Sequence, residues 1–247
     1  MKIIRIMKLS VIIPVYNEKR TLLELLARVE KVEIEGISEK EIVLVDDFST
    51  DGTREILHGL SRPHYKVVFH DKNLGKGAAV RTGFSQASGD IFLIQDADLE
   101  YDPQDYPVLL RPILDGRADV VYGSRFLATL RPGSGQAVRN RVVYRHGYLF
   151  SRVLNWLSNI LSGVPLSDMY TCYKVFSREA VQQISPHLRS KRFGIDPELT
   201  AWVGKFKFKI MEVPISYQGR TYAEGKKINW KDGLAAIWHI IKFNLFT

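Results

Sequence analysis

The stretch IFLIQDADLEYDP, residues 91–103, sets four consecutive apolar residues before three acidic residues at alternate positions. A short apolar run bounded by polar residues is typical of a strand buried on both faces of a parallel sheet. In an extended segment Asp96, Asp98 and Glu100 point to one side, because side chains alternate along the chain. Carboxylates this close repel one another and resist ionisation. The stretch therefore predicts a strand whose carboxyl end carries a bound cation.

A divalent metal ion would remove this repulsion, and the oxygen ligands favour Mg²⁺ or Mn²⁺. Mg²⁺ is commonly bound by one or two carboxylates together with the phosphates of a substrate. The alternative is that Asp98 and Glu100 are solvated turn residues ahead of Pro103, as Asp102 is interpreted to be. Polar residues at other strand ends favour the metal site over the turn.

On either side of this stretch, the first half of the chain alternates apolar strands with amphipathic helices. Strands are predicted at residues 9–15, 41–47, 65–70, 90–98 and 119–125, and helices at 20–32, 53–60, 75–87 and 104–115. Because the connections between them are short, the alternation predicts an α/β fold with a mostly parallel, Rossmann-like central sheet and helices on both faces.

The alternation ends after about residue 126. Residues 127–140 are rich in Gly, Ser, Pro and Arg and are predicted to form a mobile loop. The remainder is predicted to form helices near 141–162, 196–206 and 230–243 and strands at 171–176 and 208–217. No linker interrupts the chain, so we predict a single domain over residues 1–247, with halves 1–126 and 127–247.

The 247 residues include 35 Lys and Arg against 27 Asp and Glu, which leaves a net charge of +8. This excess favours an anionic partner, and nucleic acid is not expected because no binding motif for it is present. Cys172 is the only cysteine, so no internal disulfide can form, and a reducing, cytoplasmic compartment is expected. No apolar run reaches the roughly 18 residues of a membrane span, and the first residues predict a strand rather than a signal peptide.

Ligands of open parallel sheets bind at the carboxyl ends of the strands. In this chain those ends read PVYNE at 14–18, DD at 46–47, DADLE at 96–100 and GSR at 123–125. Asp46 is the candidate to accept hydrogen bonds from a nucleotide base or ribose, whereas Asp47 and Asp51 are predicted to cap the next helix. Four polar strand ends together predict one binding site along this edge.

The segment NLGKGAAV at 73–80 does not match a phosphate loop, because neither GxxxxGK[ST] nor GxGxxG fits it. Its glycines are predicted instead to allow close approach of the backbone where a helix begins. Lys76 could reach a phosphate group there, and a solvated lysine is an equally open alternative.

Several segments together resemble one family, the family 2 glycosyltransferases of the GT-A fold. The resemblance rests on SVIIPVYNE (10–18), VDDFSTDGT (45–53), NLGKGAAVRTGF (73–84), GDIFLIQDADLEYDP (89–103) and VVYGSR (120–125). It extends to SDMYTCYKVFSREAV (167–181), FGIDPELTA (193–201) and EVPISYQGRTYAEGKK (212–227). Within the family the chain is most similar to the dolichyl-phosphate mannose synthases and bacterial polyprenyl-phosphate hexosyltransferases. This resemblance implies that residues 1–126 bind the sugar donor and residues 127–247 the acceptor.

The resemblance also implies roles for individual residues. Asp96 and Asp98 match the DxD motif that binds metal and donor, and Glu100 stands where the group often has Gln as a further metal ligand. Donor binding would fall to Pro14, Tyr16, Glu18, Asp46, Lys76, Asp96 and Asp98. Binding of an acceptor phosphate would fall to Arg125, Arg145, Arg220 and Lys226, and catalysis to Asp98, Arg125 and Arg220. Ala223 and Gly225 depart from the motif of the group.

The activity implied by the resemblance is inverting, metal-dependent transfer of mannose or glucose from GDP-mannose or UDP-glucose to a polyprenyl or dolichyl phosphate. A phosphate acceptor is already an anion at neutral pH and needs positive side chains rather than a general base. The alternative is transfer to a hydroxyl in cell-envelope glycan synthesis, with Glu198 as a candidate base. Asp196 is predicted to cap a helix, because Pro197 fits a first helical position. The complete acidic set argues against a binding protein without catalysis.

A lipid acceptor requires contact with the membrane surface, and a peripheral position at its cytoplasmic face is expected. Aromatic residues with basic neighbours mark the two amphipathic stretches 141–162 and 228–246: Tyr148, Phe150, Trp156, Trp230, Trp238, Phe243 and Phe246. Apolar stripes at helical spacing more often pack inside their own domain. We therefore predict that both stripes pack on the sheet and that only an exposed edge or the C terminus contacts lipid.

Overall fold

The computed structural model describes residues 7–127, 140–141, 145–220 and 230–247 of the chain. The strands are β1 (Met7–Val15), β2 (Ile37–Asp46), β3 (Tyr65–Phe69), β4 (Ile91–Ile94), β5 (Val120–Ser124), β6 (Asn140–Arg141), β7 (Lys174–Ser177), β8 (Ile210–Pro214) and β9 (Tyr217–Gln218). The helices are α1 (Leu22–Lys31), α2 (Thr53–His58), α3 (Lys76–Gln86), α4 (Tyr106–Leu114), α5 (Arg145–Ser162), α6 (Arg178–Ile184), α7 (Ile195–Lys205) and α8 (Trp230–Leu245).

The central sheet has seven strands in the order β3-β2-β1-β4-β7-β5-β8, which confirms the predicted α/β fold. β1 pairs in parallel with β2 and β4, and the pairs β2–β3 and β5–β8 are also parallel. β7 is the exception, because it runs antiparallel between β4 and β5. Its direction could not be predicted from the sequence, because a short apolar run does not indicate which way a strand runs in the sheet.

The strand order reverses beside the carboxyl end of β1, which is where open α/β sheets bind their ligands. From β1 the chain proceeds outward to β2 and β3 and then returns to the other side of β1 as β4. At such a point the connections leave on opposite sides, so the loops after the two central strands diverge and leave room for a ligand. Residues 14–18, 46–47 and 96–100 lie at or just beyond the ends of β1, β2 and β4, along this edge.

Helix α3 lies unusually close to the sheet because of Gly83. A Cβ atom at this position would lie 2.3 Å from Cγ2 of Ile12 in β1, so only glycine allows the approach. Gly75 precedes the helix with φ +92°, a left-handed conformation that favours glycine. The predicted close backbone approach is confirmed at Gly75 and Gly77, where a Cβ atom would lie 2.5 Å from the carbonyl oxygen of Lys191 and 2.7 Å from that of Ser190.

Some element boundaries differ from the predictions. The strand predicted at 208–217 ends at Pro214, which has no N–H to donate to a further ladder, and resumes as β9. Asp102 accepts a hydrogen bond from the amide of Gln104 at 3.0 Å and caps a short 3₁₀ helix at Pro103–Asp105, in line with its interpretation as a turn residue.

A buried carboxylate on β2 gives the fold a testable pH dependence. Glu41 accepts a hydrogen bond from the Ser10 hydroxyl at 2.5 Å and lies 3.1 Å from Nζ of Lys66. Burial alone would raise the pKa of Glu41, but hydrogen bonds from Ser10, Ser88 and Lys66 lower it to about 2. An acid with a lowered pKa stabilises the fold above its unfolded pKa, and this stabilisation is lost as the pH falls through its folded pKa.

Glu41→Gln is expected to lower the free energy of unfolding at pH 7 by about 3 kcal/mol. The difference from the unchanged protein should narrow below about pH 4.5 and vanish near pH 2. Urea unfolding across this pH range measures the difference in the free energy of unfolding. Glu39→Gln is the control, because the Glu39 side chain lies on the same strand but is 62% exposed. A difference that stays constant with pH would contradict the assignment.

Candidate active site

Asp96 lies just beyond the carboxyl end of β4 and forms an ion pair with Lys76. Nζ of Lys76 is 2.6 Å from Oδ1 of Asp96. Burial alone would raise the pKa of Asp96, but Lys76 lowers it below its usual value. Beneath this pair, Gln95 is fully buried, and its side-chain oxygen accepts hydrogen bonds from the hydroxyls of Tyr106 and Tyr173, each at 2.8 Å. This polar network fixes the strand end from which the acids project.

The guanidinium of Arg220 is shared by three carboxylates. It forms ion pairs with Asp98, with Glu100 at 3.1 Å and with Glu18 at 3.5 Å. The backbone amide of Arg220 also donates to Glu100 at 3.0 Å, and the hydroxyl of Tyr217 donates to the other oxygen of Glu100 at 2.9 Å. A segment 120 residues further along the chain thus supplies the cation that the acidic strand end requires.

A single guanidinium does not neutralise these acids. Burial, followed by the charges of Asp96 and Glu100, raises the pKa of Asp98 to about 7, although Arg220 acts in the opposite direction. The ionised carboxylate is therefore disfavoured in this structure. Additional positive charge at this point would stabilise it.

The predicted donor residues on β1 and β2 lie at the same edge. Asp46 is fully buried, accepts a hydrogen bond from the amide of Ser49 at 3.2 Å and lies 3.6 Å from Arg54. Tyr16 remains 37% exposed at the end of β1, and Pro14 is partly buried. The edge therefore offers a buried acid beside an accessible aromatic ring.

The two predicted helix caps on the loop after β2 have different outcomes. Asp51 accepts a hydrogen bond from the amide of Thr53 at 3.0 Å, at the start of α2, as predicted. The prediction for Asp47 is wrong, because its oxygens accept from the amides of Leu74 and Gly75 at 2.8 and 2.7 Å and contact His70 at 2.8 Å. Asp47 thus holds the loop that leads into Lys76. The amides that it binds are too distant from it in sequence to be predicted.

Arg125 follows β5 and forms a bidentate ion pair with Asp168. Nε and Nη2 of Arg125 lie 2.7 and 2.8 Å from the two oxygens, and the amide of Arg125 donates to the same carboxylate at 3.0 Å. The guanidinium also lies 5.0 Å from the centre of the Tyr217 ring. Asp168 was missed by the sequence reasoning, although it belongs to one of the segments that carried the resemblance.

The two acids at the start of α7 both have structural partners. The predicted cap at Asp196 is wrong: the helix begins at Ile195, and Asp196 instead pairs at 2.5 Å with Nζ of the fully buried Lys174. Both oxygens of Glu198 accept backbone hydrogen bonds, from Arg189 at 2.7 Å and from Ser190 at 2.8 Å. A carboxylate engaged in this way is poorly placed to accept a proton from a substrate.

Some predicted residues cannot be placed. Lys226 lies outside the described residues, as do the side chain of Arg145 and most of the loop predicted at 127–140. Over the ranges that are described, no three His, Cys, Asp or Glu side chains are grouped so that they could hold a metal ion by themselves.

Helices α5 and α8 pack against one another and against α7, rather than mainly on the sheet as predicted. Large apolar side chains are exposed on these helices and just beyond the end of α8, namely Phe150, Val153, Trp156, Ile160, Leu234, Trp238, Leu245 and Phe246. The two helices meet where the ring of Phe150 lies against Gly233. No helix in the described part of the chain is both long enough and apolar enough to cross a membrane.

Comparison with known families and proteins gives three findings from sequence. A family model described as Glycosyl transferase family 2 matches residues 10–185. The chain is 35% identical over 225 residues to a dolichol-phosphate mannosyltransferase of Pyrococcus furiosus, and the matched region covers 89% of this chain and 59% of that protein. It is 28% identical over 226 residues to an undecaprenyl-phosphate 4-deoxy-4-formamido-L-arabinose transferase of Photorhabdus laumondii, covering 90% and 63%. The chain thus spans less than two thirds of the length of either relative.

A solved structure shows the same fold. Glucosyl-3-phosphoglycerate synthase of Mycobacterium tuberculosis superposes with a TM-score of 0.68 at 18% identity, over 96% of this chain and 78% of that one. That protein was crystallised with Mn²⁺, uridine diphosphate and glucosyl-3-phosphoglycerate. At this identity the likeness supports the arrangement of the sheet and helices and no more.

Proposed function

The chain belongs to glycosyl transferase family 2, and from that membership we propose that it transfers a hexose, mannose or glucose, from a GDP- or UDP-sugar to a polyprenyl or dolichyl phosphate. The observation that carries this proposal is the convergence of Glu18, Asp98 and Glu100 on Arg220 beside the end of β1. Clustered carboxylates can bind a divalent metal ion, and a long, flexible cationic side chain beside them can contact the phosphates of a diphosphate. The names of the two sequence relatives support a polyprenyl-type phosphate as the acceptor.

The donor is proposed to lie along the ends of β1, β2 and β4. Its base and ribose would contact Pro14, Tyr16, Glu18 and Asp46, where an exposed ring offers a stacking surface and a buried carboxylate accepts hydrogen bonds. Its diphosphate would face Lys76, whose ammonium group already lies at the acidic strand end. Closeness to both Asp96 and the phosphates would let Lys76 orient the donor.

The residues present fit a divalent cation. Asp96, Asp98 and Glu100 offer hard oxygen ligands, and burial together with the charges of the two neighbouring acids raises the pKa of Asp98. Since the described acids do not form a complete metal cage, the donor phosphates would supply further ligands. When bound, Mg²⁺ or Mn²⁺ would stabilise the negative charge on the departing diphosphate.

A phosphate acceptor explains the cations of the second half of the chain. A phosphate oxygen would attack the anomeric carbon as the bond from that carbon to the diphosphate breaks, and one direct displacement inverts the configuration. No proton has to be removed from the acceptor, so no base is needed. Arg125, Arg145, Arg220 and Lys226 are proposed to offset the repulsion between the acceptor phosphate and the donor. The hydroxyl-acceptor alternative would need Glu198 as a base, and that carboxylate is engaged by two amides.

The chain is proposed to act as one domain, with residues 1–126 binding the donor and 127–247 the acceptor. A lipid-linked acceptor further implies a peripheral position at the cytoplasmic face of the membrane. The exposed apolar faces of α5 and α8, with Trp156 64% and Trp238 57% exposed, are the surfaces that would enter the interface.

Acceptor screening tests the proposal. Labelled GDP-mannose and UDP-glucose are each incubated with a short-chain polyprenyl phosphate, the matching polyprenol, or a soluble sugar, with Mg²⁺ or Mn²⁺. We expect labelled lipid only from the polyprenyl phosphate with one of the donors, because only that acceptor carries its own nucleophilic anion. Transfer to the polyprenol or to the sugar instead would overturn the acceptor assignment.

A further inference from the structure

A second polar feature lies outside the proposed transfer site. A groove of about 560 Å³ is enclosed by the loop 72–74, the segment 189–194 and the last turns of α8. None of the acids around Arg220, nor Arg125 or Asp46, lines it. We call this feature the basic groove, and the proposed transfer chemistry makes no use of it.

The basic groove is lined by five cationic side chains: Lys72, Arg189, Lys191, Arg192 and Lys242. All five residues are exposed, and none forms an ion pair with a carboxylate in the described part of the chain. Glu198 lies behind the wall, but its oxygens accept from the amides of Arg189 and Ser190. Cations concentrated without acidic partners attract an anionic ligand.

Ser190 provides a second and independent indication of a ligand. It lines the groove, is 8% exposed, and its hydroxyl has no hydrogen-bond partner among the described residues. A Cβ atom at Gly194 would lie 2.9 Å from that hydroxyl and 3.0 Å from the His239 ring, so glycine keeps this corner open. A buried hydroxyl without a partner is costly, and an oxygen of a bound anion would accept its hydrogen.

The surroundings of the groove indicate where the anion comes from. Lys242 and His239 face the groove from α8, while Trp238 and Leu234 of the same helix are 57% and 58% exposed. A helix with cations beside exposed apolar side chains is typical of a membrane interface, where phosphates lie next to acyl chains. A soluble anion would leave these apolar side chains without a partner.

We propose that the basic groove binds the phosphate of an anionic phospholipid headgroup and thereby orients α8 on the membrane. This inference rests on the membrane contact of the proposed function but concerns a site separate from the transfer site. Several cations then act on one headgroup layer, and each Lys or Arg strengthens binding to an anionic surface. Binding should therefore depend on anionic lipid and weaken with added salt.

Vesicle binding by the full chain tests the inference. The variant Lys191→Gln/Arg192→Gln removes two cations from the groove, and Lys31→Gln/Lys207→Gln removes two exposed lysines elsewhere. On vesicles of phosphatidylcholine with phosphatidylglycerol we expect the groove variant to bind about 30-fold more weakly than the control variant. On vesicles of phosphatidylcholine alone the two variants should bind alike.

Three outcomes would overturn the inference. They are equal binding of both variants to anionic vesicles, an equal loss on neutral vesicles, and binding of inorganic phosphate that is lost in the groove variant while vesicle binding is not. Transfer to a short-chain polyprenyl phosphate without vesicles should be the same for both variants. Groove-dependent vesicle binding without any transfer activity would count against the proposed function alone.

Discussion

Asp98→Asn is expected to lower hexose transfer by about 10³-fold or more. Asp98 lies within the set of acids that surrounds Arg220, and burial together with the charges of Asp96 and Glu100 raises its pKa to about 7. An amide keeps the shape of the side chain but removes the charge that a divalent cation requires. The measurement is formation of labelled glycolipid from the nucleotide sugar under saturating acceptor.

The fold of the Asp98→Asn variant should be intact. Because burial and neighbouring acids disfavour the ionised carboxylate, its replacement by a neutral group is not expected to lower Tm in the absence of metal. Asp102→Asn is the matched control, since Asp102 lies four residues away and caps a 3₁₀ helix. That variant should retain transfer and lose at most about 1 kcal/mol of stability. Full transfer by Asp98→Asn would remove the metal site from the proposal.

The position of the site followed from local sequence, because strand ends are local features. Apolar runs ending in Asp46, Asp96 and Asp98 predicted acids along one edge of a parallel sheet, and the structure brings these ends together. The side chains that pair with those acids could not be predicted from local sequence. Arg220 and Asp98 are 122 residues apart, and their contact depends on how the second half folds back over the sheet. Pairing over such distances leaves no periodic signal in one sequence.

The two helix-cap predictions that failed have one feature in common, which is that the acid bonds to a distant part of the chain. Asp47 and Asp196 each lie where a helix cap is locally favourable, yet Asp47 accepts hydrogen bonds from a distant loop and Asp196 forms an ion pair with a distant lysine. A buried ammonium such as that of Lys174 gains more from a carboxylate than a helix terminus gains from a cap, because an unpaired buried charge is far more costly. Lys174 lies on the antiparallel strand β7. The direction of this strand could likewise not be predicted from the local sequence pattern.

The two amphipathic helices show where the sequence pattern was ambiguous. Apolar spacing predicted that both stripes pack inside the domain, and Leu154, Ile240 and Phe243 do so. The same helices also expose Trp156 and Trp238, so each has more apolar surface than one buried stripe requires. A hydrophobic pattern indicates how much apolar surface a helix carries, whereas its neighbours decide how much of that surface is covered.

Arg220→Ala is expected to lower transfer by about 10²- to 10³-fold and to destabilise the metal-free protein. Removing the guanidinium leaves Glu18, Asp98 and Glu100 without their shared cation. The expected loss is about 2–3 kcal/mol, below the usual range for fully buried pairs because Arg220 is 20% exposed. Arg117→Ala is the control, since that arginine is 52% exposed beside Asp115 and should change stability by less than about 1 kcal/mol.

Thermal unfolding with metal separates a role at the site from a purely structural one. If the acids around Arg220 bind a metal ion, Mg²⁺ or Mn²⁺ should raise the Tm of Arg220→Ala by more than it raises the Tm of the unchanged protein. The extra rise should disappear in Arg220→Ala/Asp98→Asn, because that double variant lacks one of the carboxylates that the ion would join. An equal rise in all three proteins would mean that metal does not bind at these acids. Full transfer by Arg220→Ala would instead favour a hydroxyl acceptor, since an acceptor without a phosphate has no need of this guanidinium.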